Sequence, residues 1–311
     1  MGNLEIIKKA LEEIQYPSRP KGLYEPIAYE LSLGGKRVRP VLTLLAYQMY
    51  ASDVERVIPA ALAIEIYHNH TLLHDDLMDN ADVRRGKPTV HKVWNDNTAV
   101  LSGDTMLILA CRKMLETQTE RIGELMDIFL RAQQEICEGQ QEDVNFETRS
   151  DVSVEEYIEM IRQKTSVLLA LSLKTGAFVA DAPQEDQDLL YRFGELVGLA
   201  FQLQDDYLDC YGDPKVFGKE IGGDIRQGKK TFMQIAALQR ATEEERNMML
   251  EVRDFQSVIG IYNKYGVPQM AQERMASYYD EAKKVWEKLN VPTEKKTALW
   301  DYAQGMLGRK N

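Results

Sequence analysis

The chain is short of the residues that build loop-rich or strand-rich proteins. Ten prolines and twenty glycines in 311 residues are too few for such a fold at this length. Its three cysteines, Cys111, Cys137 and Cys210, are odd in number and form no Cys-x-x-Cys pair. That argues against a disulfide framework and for free thiols in a reducing compartment. No stretch approaches the ~20 uninterrupted apolar residues of a membrane span. The start, Met1-Gly2-Asn3-Leu4-Glu5, has no basic-then-apolar leader, and Ile6 stands where a myristoylation signal wants Ser or Thr. A soluble cytoplasmic protein is the expectation. Positive charge is scarce too: 38 Lys and Arg against 49 Asp and Glu leave a net charge of -11. Nucleic-acid binding needs basic surface, so nucleic acid is not an expected partner. The glycines make neither a Gly-x-x-x-x-Gly-Lys-Ser/Thr loop nor a strand-linked Gly-x-Gly-x-x-Gly, so a nucleotide is not expected either.

What is present is helix. Hydrophobic residues make 44% of the chain and charged ones 28%, enough to bury a core. Leu4, Ile7 and Leu11 mark a first amphipathic helix. Pro26 to Leu33 reads as a second, and Pro40 opens a third that runs to Tyr50. Val54 to Asp79 reads as one long apolar helix and Asn80 to Asn97 as a loop. Thr98 to Thr117 and Glu120 to Phe146 follow as helices. Asp151 and Ser153 cap a helix predicted through Ala180. Gln184 to Asp209 is the next, then a glycine-rich loop from Gly212 to Gly228, then helices again from Lys230. No alternating run makes a strand, and no shift in composition marks a linker. The expectation is a single all-α domain over residues 1–311, built as a helix bundle.

Two acidic stretches end two of these helices. His74-Asp75-Asp76-Leu77-Met78-Asp79 closes the first, and Gln204-Asp205-Asp206-Tyr207-Leu208-Asp209 the second. An α-helix turns ~100° per residue, so carboxylates at i and i+4 share a face. Like charges at that spacing repel, so a cation should accompany them. Carboxylates without matching His or Cys suit a hard cation with oxygen ligands, and Mg²⁺ fits because it is shared between carboxylates and substrate phosphates. The loops argue for phosphate independently: Arg84-Arg85-Gly86-Lys87 follows the first stretch, Lys219 and Lys229-Lys230 the second, and Gly34-Gly35-Lys36-Arg37-Val38-Arg39 adds a third cluster. A bundle interior lined by Leu, Ile and Ala would suit a hydrocarbon tail on that phosphate.

These motifs, with Lys164-Thr165, Phe201-Gln202-Leu203-Gln204 before the second stretch, and the Gly218-Lys219, Asp224, Lys229 run, occur in an order that resembles the head-to-tail trans-isoprenyl diphosphate synthases, or polyprenyl synthetases, of short-chain type. The resemblance spans about Gly34 to Lys230. It implies an all-α prenyltransferase around a large central cavity, usually a homodimer, that joins isopentenyl diphosphate to an allylic diphosphate. It implies Asp75, Asp79 and Asp205 as main Mg²⁺ ligands, with Asp76, Asp206 and Asp209 in support and three ions filled with substrate diphosphate. Arg84, Lys164, Lys219 and Lys229 are similar to residues that hold the allylic diphosphate. Lys36, Arg39, His68 and Arg85 match the isopentenyl pocket, and Thr165 and Gln202 the lining of the reacting carbons. Lys310 is a further basic residue that could reach the isopentenyl pocket. In the family, bulk five residues before the first aspartate closes the tunnel for the growing chain. Here that residue is His70, followed by the small Thr71, and the pattern is most similar to enzymes with a C20 product, C15 next.

Other readings fit less well. A di-iron bundle needs two Glu-x-x-His motifs. Glu65-Ile66-Tyr67-His68 is one, but His70, His74 and His91 have Tyr67, Thr71 and Pro88 three residues before them. A terpene cyclase has no use for an isopentenyl pocket. A longer-chain synthase would want a more open site at His70, and a non-catalytic subunit of a heteromeric synthase tends to lose acidic residues that are all present here.

Overall fold

A computed structural model describes residues 2–213 and 221–307. Its regular structure is helix except for one ladder, Val83–Arg84 paired with Lys87–Pro88, so the fold is all-α. The helices used below are α1 (Asn3–Glu12), α2 (Lys21–Ser32), α3 (Val38–Gln48), α4 (Ile58–Met78), α5 (Val90–Val93), α6 (Asp96–Leu115), α7 (Ile122–Thr148), α8 (Val154–Ile161), α9 (Val167–Val179) and α10 (Gln184–Tyr211). Shorter helices and the pair Val267–Lys288 and Thr293–Leu307 complete the described chain. None of the described helices is long and apolar enough to cross a membrane.

The chain divides into two compact units, Met1–Phe129 with Leu171–Gln187, and Leu130–Ala170 with Asp188–Asn311. In the first, α4 is the centre: every side chain from Ala60 to Tyr67 is buried, as expected of a helix that is apolar all round. Ile7 from α1, Ile27 from α2 and Leu42, Leu44 and Tyr47 from α3 are buried in the same unit. In the second, Tyr157 of α8, Leu203 of α10, Phe232, Met233 and Tyr262 form one apolar cluster.

The helix expected from Val54 starts later. Val54–Arg56 is a single 3₁₀ turn, and α4 begins at Ile58 with a proline in its first turn, where the missing N–H costs nothing. The helix expected from Ser153 to Ala180 is interrupted. Ser153 and Glu156 do form a reciprocal capping box, but Arg162–Ser166 is a π turn between α8 and α9. Two glycines of the second unit press on it. A Cβ on Gly139 would stand 2.5 Å from the Lys164 backbone nitrogen, and one on Gly198 2.6 Å from the Ser166 Cα. The loop expected over Asn80–Asn97 holds the short ladder and α5. Arg85 and Gly86, the two turn residues, have φ of 53° and 78°, the pair of positive values that a two-residue hairpin turn with the right twist requires.

Candidate active site

In the first unit the acidic stretch ends α4. Asp75 is half-buried, Asp76 buried and Asp79 exposed. The Asp79 backbone N–H donates to the Asp75 carbonyl at 2.9 Å, which closes the last turn. Carboxylates at a helix C-terminus oppose the macrodipole, and Arg84 offsets this. Its Nε donates to Asp76 Oδ2 at 2.7 Å and its Nη2 to Oδ1 at 2.6 Å, a bidentate pair. Burial works against the Arg84 charge, but the hydrogen bonds and charge of Asp76, then Asp75 and Glu30, outweigh it and hold the guanidinium above its usual range.

The Gly34–Arg39 cluster comes apart in space. Lys36 is exposed. Arg37 takes a left-handed φ of 50° and turns inward, where Nη1 pairs with Glu65 Oε1 at 2.6 Å and Nη2 donates to the Leu31 carbonyl. Asn69 donates to the same Glu65 oxygen at 2.9 Å. Arg39 reaches His68 instead, Nη1 to Nε2 at 3.0 Å. An arginine can only donate, so His68 accepts at Nε2 and carries its proton on Nδ1. Burial, then Arg39, Arg85, Arg84 and Arg37, push His68 well below the usual imidazole range, so it is neutral. Burial likewise lowers Arg39, to about 10. Arg85 donates to the Gly34 carbonyl and lies flat on Gly35, where a Cβ would stand 2.8 Å from its Cζ. Gly35 also has a φ of 120°, a conformation glycine takes without strain. Arg39, Arg84 and Arg85 thus form one cationic surface next to Asp75 and Asp76, with neutral His68 bonded to Arg39.

His70 points away from it. Its Nδ1–H donates to the Gly103 carbonyl of α6 at 2.9 Å. Burial, then His74, lower it to about 4. Its ring lies 4.7 Å from His74 and 5.6 Å from Tyr67, which meets Phe129 edge-on at 5.9 Å. Thr71 is held by its own helix, its hydroxyl donating to the His68 carbonyl at 2.8 Å.

In the second unit α10 carries the matching stretch. Asp205 is half-buried, while Asp206 and Asp209 are buried. Asp206 accepts from the Tyr157 hydroxyl and from Gln202 Nε2 at 3.1 Å. Gln202 in turn accepts from Thr165 Oγ1 at 3.1 Å. Burial, then Asp224, raise the Asp206 carboxyl to about 7. Asp209 Oδ2 accepts from the Asp224 backbone N–H at 3.1 Å. Lys164 pairs with Asp143 at 2.6 Å. Lys164 and Thr165 both stand on the π turn, an irregularity that recurs at functional sites. Lys229 is exposed. Lys219 and Lys310 lie outside the described residues.

Glu30, Asn69, Asp143 and Tyr157 take part in these clusters without a motif in the sequence that marks them, whereas Asp224 stands in the family motif run and Glu65 in the lone Glu-x-x-His. None of the first four sits in a repeated spacing that would have marked it. The six aspartates offer only carboxylate oxygen, the donor set of a hard cation. No three His, Cys, Asp or Glu side chains among the described residues are gathered into a cage. Mg²⁺ shared with substrate phosphates needs no such cage, so the residues fit that ion.

The fold and the two clusters define an all-α prenyltransferase. The model of the polyprenyl synthetase family matches residues 20–259. A short chain isoprenyl diphosphate synthase of Methanocaldococcus jannaschii is 43% identical over 249 residues, 79% of this chain and 76% of that one. A geranylgeranyl diphosphate synthase of Methanosarcina mazei is 36% identical over 310 residues, 98% of this chain and 95% of that one. The crystal structure of geranylgeranyl pyrophosphate synthetase from Pyrococcus horikoshii Ot3 is similar with a TM-score of 0.89 at 34% identity, covering 98% of this chain and 94% of that one. The chain belongs to the polyprenyl synthetase family.

Proposed function

We propose that this chain, working as one prenyl synthase domain over residues 1–311, condenses isopentenyl diphosphate with an allylic diphosphate to an all-trans C20 prenyl diphosphate. The observation that carries the reading is the arginine surface beside Asp75 and Asp76: a cationic patch and a carboxylate pair side by side on an acidic protein. Asp75, Asp79 and Asp205, the more open aspartates, are assigned as Mg²⁺ ligands, with the buried Asp76, Asp206 and Asp209 supporting them and three ions in all. Bound there, Mg²⁺ supplies Lewis-acid neutralisation of a departing diphosphate.

The chain's own groups do the rest. Arg84, Lys164, Lys219 and Lys229 hold the allylic diphosphate, so the charge that grows as its C–O bond breaks meets guanidinium and ammonium groups. Asp76 engages one edge of Arg84, which leaves further N–H donors for phosphate. Lys36, Arg39 and Arg85 hold isopentenyl diphosphate, and neutral His68 aims Arg39. Thr165 and Gln202, locked by their mutual hydrogen bond, line the reacting carbons. The isopentenyl double bond attacks the allylic cation, and the proton lost afterwards goes to the released diphosphate. Water must be kept out, because it would quench the cation. The three free cysteines suit a reducing cytoplasm.

Purified protein with isopentenyl and dimethylallyl diphosphates and Mg²⁺ is expected to release inorganic diphosphate and form a C20 product by mass spectrometry. No diphosphate release would sink the reading, and a C15 product would correct its length. In the same assay His70→Ala is expected to lengthen the product by at least one C5 unit, because it removes the ring bridging α4 to α6. An unchanged product would remove His70 as the floor.

A homodimer is part of this reading. Leu101, Ile108 and Leu115 recur every seven residues on α6 and are each more than half exposed, an apolar stripe of the kind that pairs with another helix. The double change Leu101→Glu with Ile108→Glu should give a monomer by light scattering, and an unaltered dimer would place the interface elsewhere.

A further inference from the structure

Glu30 of α2 is wholly buried, and neither of its carboxylate oxygens has a hydrogen-bond partner. The charged groups that face it are Asp76, Arg84, Arg85 and Arg37. Each of the three arginines has a partner elsewhere: Arg84 on Asp76, Arg85 on the Gly34 carbonyl, Arg37 on Glu65 and the Leu31 carbonyl. Glu30 is therefore a buried carboxyl group facing three guanidinium groups and bonded to none of them.

A buried carboxylate without a donor weakens a fold. Burial pushes this one up to about 7, Asp76 adding to the rise while Arg84, Arg85 and Arg37 oppose it, so it is largely ionised in mildly alkaline solution. Leucine or glutamine would fill the same space at less cost. Glu30 cannot be orienting an arginine through a hydrogen bond, because it makes none. What it does exert is a field, and that field falls on Arg84 and Arg85, the two hairpin residues that carry diphosphate contacts in the reading above.

We propose that Glu30 is a buried counter-charge that tempers the anion affinity of the arginine surface, so that a diphosphate is held there firmly enough to react and loosely enough to leave. The inference rests on the assignment of Arg84 and Arg85 to diphosphates. Every turnover of the proposed reaction leaves inorganic diphosphate behind, and with Asp76 engaging only Arg84 the loss of the Glu30 charge would make the surface release it more slowly.

The test is calorimetric titration of inorganic diphosphate, without metal, at pH 8, into wild type, Glu30→Gln and Glu30→Leu. Both variants are expected to bind about tenfold more tightly, the scale of one buried charge acting through a protein interior. In steady state both KM for isopentenyl diphosphate and kcat should fall, as product diphosphate departs more slowly. Unfolding temperatures should be equal or higher, since an unpaired buried charge is gone. Equal or weaker diphosphate binding in Glu30→Gln, with the fold intact, would overturn the proposal and leave Glu30 as a burden on the fold. If Glu30→Leu fails to fold, the isosteric glutamine variant alone decides. Wild type that makes no prenyl product while Glu30→Gln still binds diphosphate more tightly would sink the functional reading and keep this one. The reverse pattern would keep the function and sink this inference.

Discussion

Asp75→Asn is expected to lower turnover by ~10²- to 10³-fold, the scale of losing one preorganised electrostatic contact to the transition state, while changing the stability of the protein little. The asymmetry follows from where Asp75 stands. It is half-buried in the last turn of α4, where the helix macrodipole disfavours negative charge, and Asp79 carries a like charge one turn on. Asparagine keeps the shape and removes both repulsions. The attraction of Asp75 for Arg84 opposes these repulsions, so the net change in stability should be small beside the loss of turnover. Steady-state kinetics beside a thermal melt would check this. Activity within about threefold of wild type, well short of one transition-state contact, would remove Asp75 from the metal ligands. A fall in melting temperature that tracks the loss of activity would make it a structural residue.

Arg37→Ala is expected to do the opposite: to cost ~3–5 kcal/mol of unfolding free energy, as breaking one side of a buried ion pair does. Arg37 is 6% exposed and Glu65 1%, and they meet at 2.6 Å. Without Arg37, Glu65 keeps only the Asn69 hydrogen bond on Oε1, and its Oε2 is buried without a partner already. Urea titration measures the loss. The pair Arg37→Met with Glu65→Leu should recover most of it, because replacing both charges with apolar groups leaves none uncompensated. A loss below about 1 kcal/mol, the range of exposed pairs, would show that the pair is not desolvated in solution.

These two expectations mark how far the residues could be read in advance. The two aspartate stretches were legible because the rule that joins i to i+4 acts within one helical turn. The cap at Ser153 was legible for the same reason, though not the reciprocal bond from Glu156. The Gly34–Arg39 run was legible as a basic cluster but not as three different fates. Arg37 goes to Glu65, 28 residues away, and Arg39 to His68, 29 away. The partners of the second cluster were out of reach altogether: Tyr157 meets Asp206 across 49 residues, and Asp143 meets Lys164 across 21. The π turn beneath Lys164 and Thr165 depends on two glycines of other helices pressing on its backbone, and no local spacing encodes that. The ladder at Arg84 escaped notice because two-residue strands have no period to detect.

The sequence by itself determined that the protein is helical, which helix faces are acidic, and which loops bring positive charge to them, because propensity, periodicity and charge are properties of neighbours along the chain. The tertiary structure alone decided which charges are spent on the fold and which are left for chemistry. It buried Arg37 with Glu65, aimed Arg39 with a neutral histidine, and placed Glu30 among arginines with nothing to bond. Desolvation and hydrogen-bond partnership depend on what stands a few ångströms away in space, and residues that distant in the chain meet only when the helices pack.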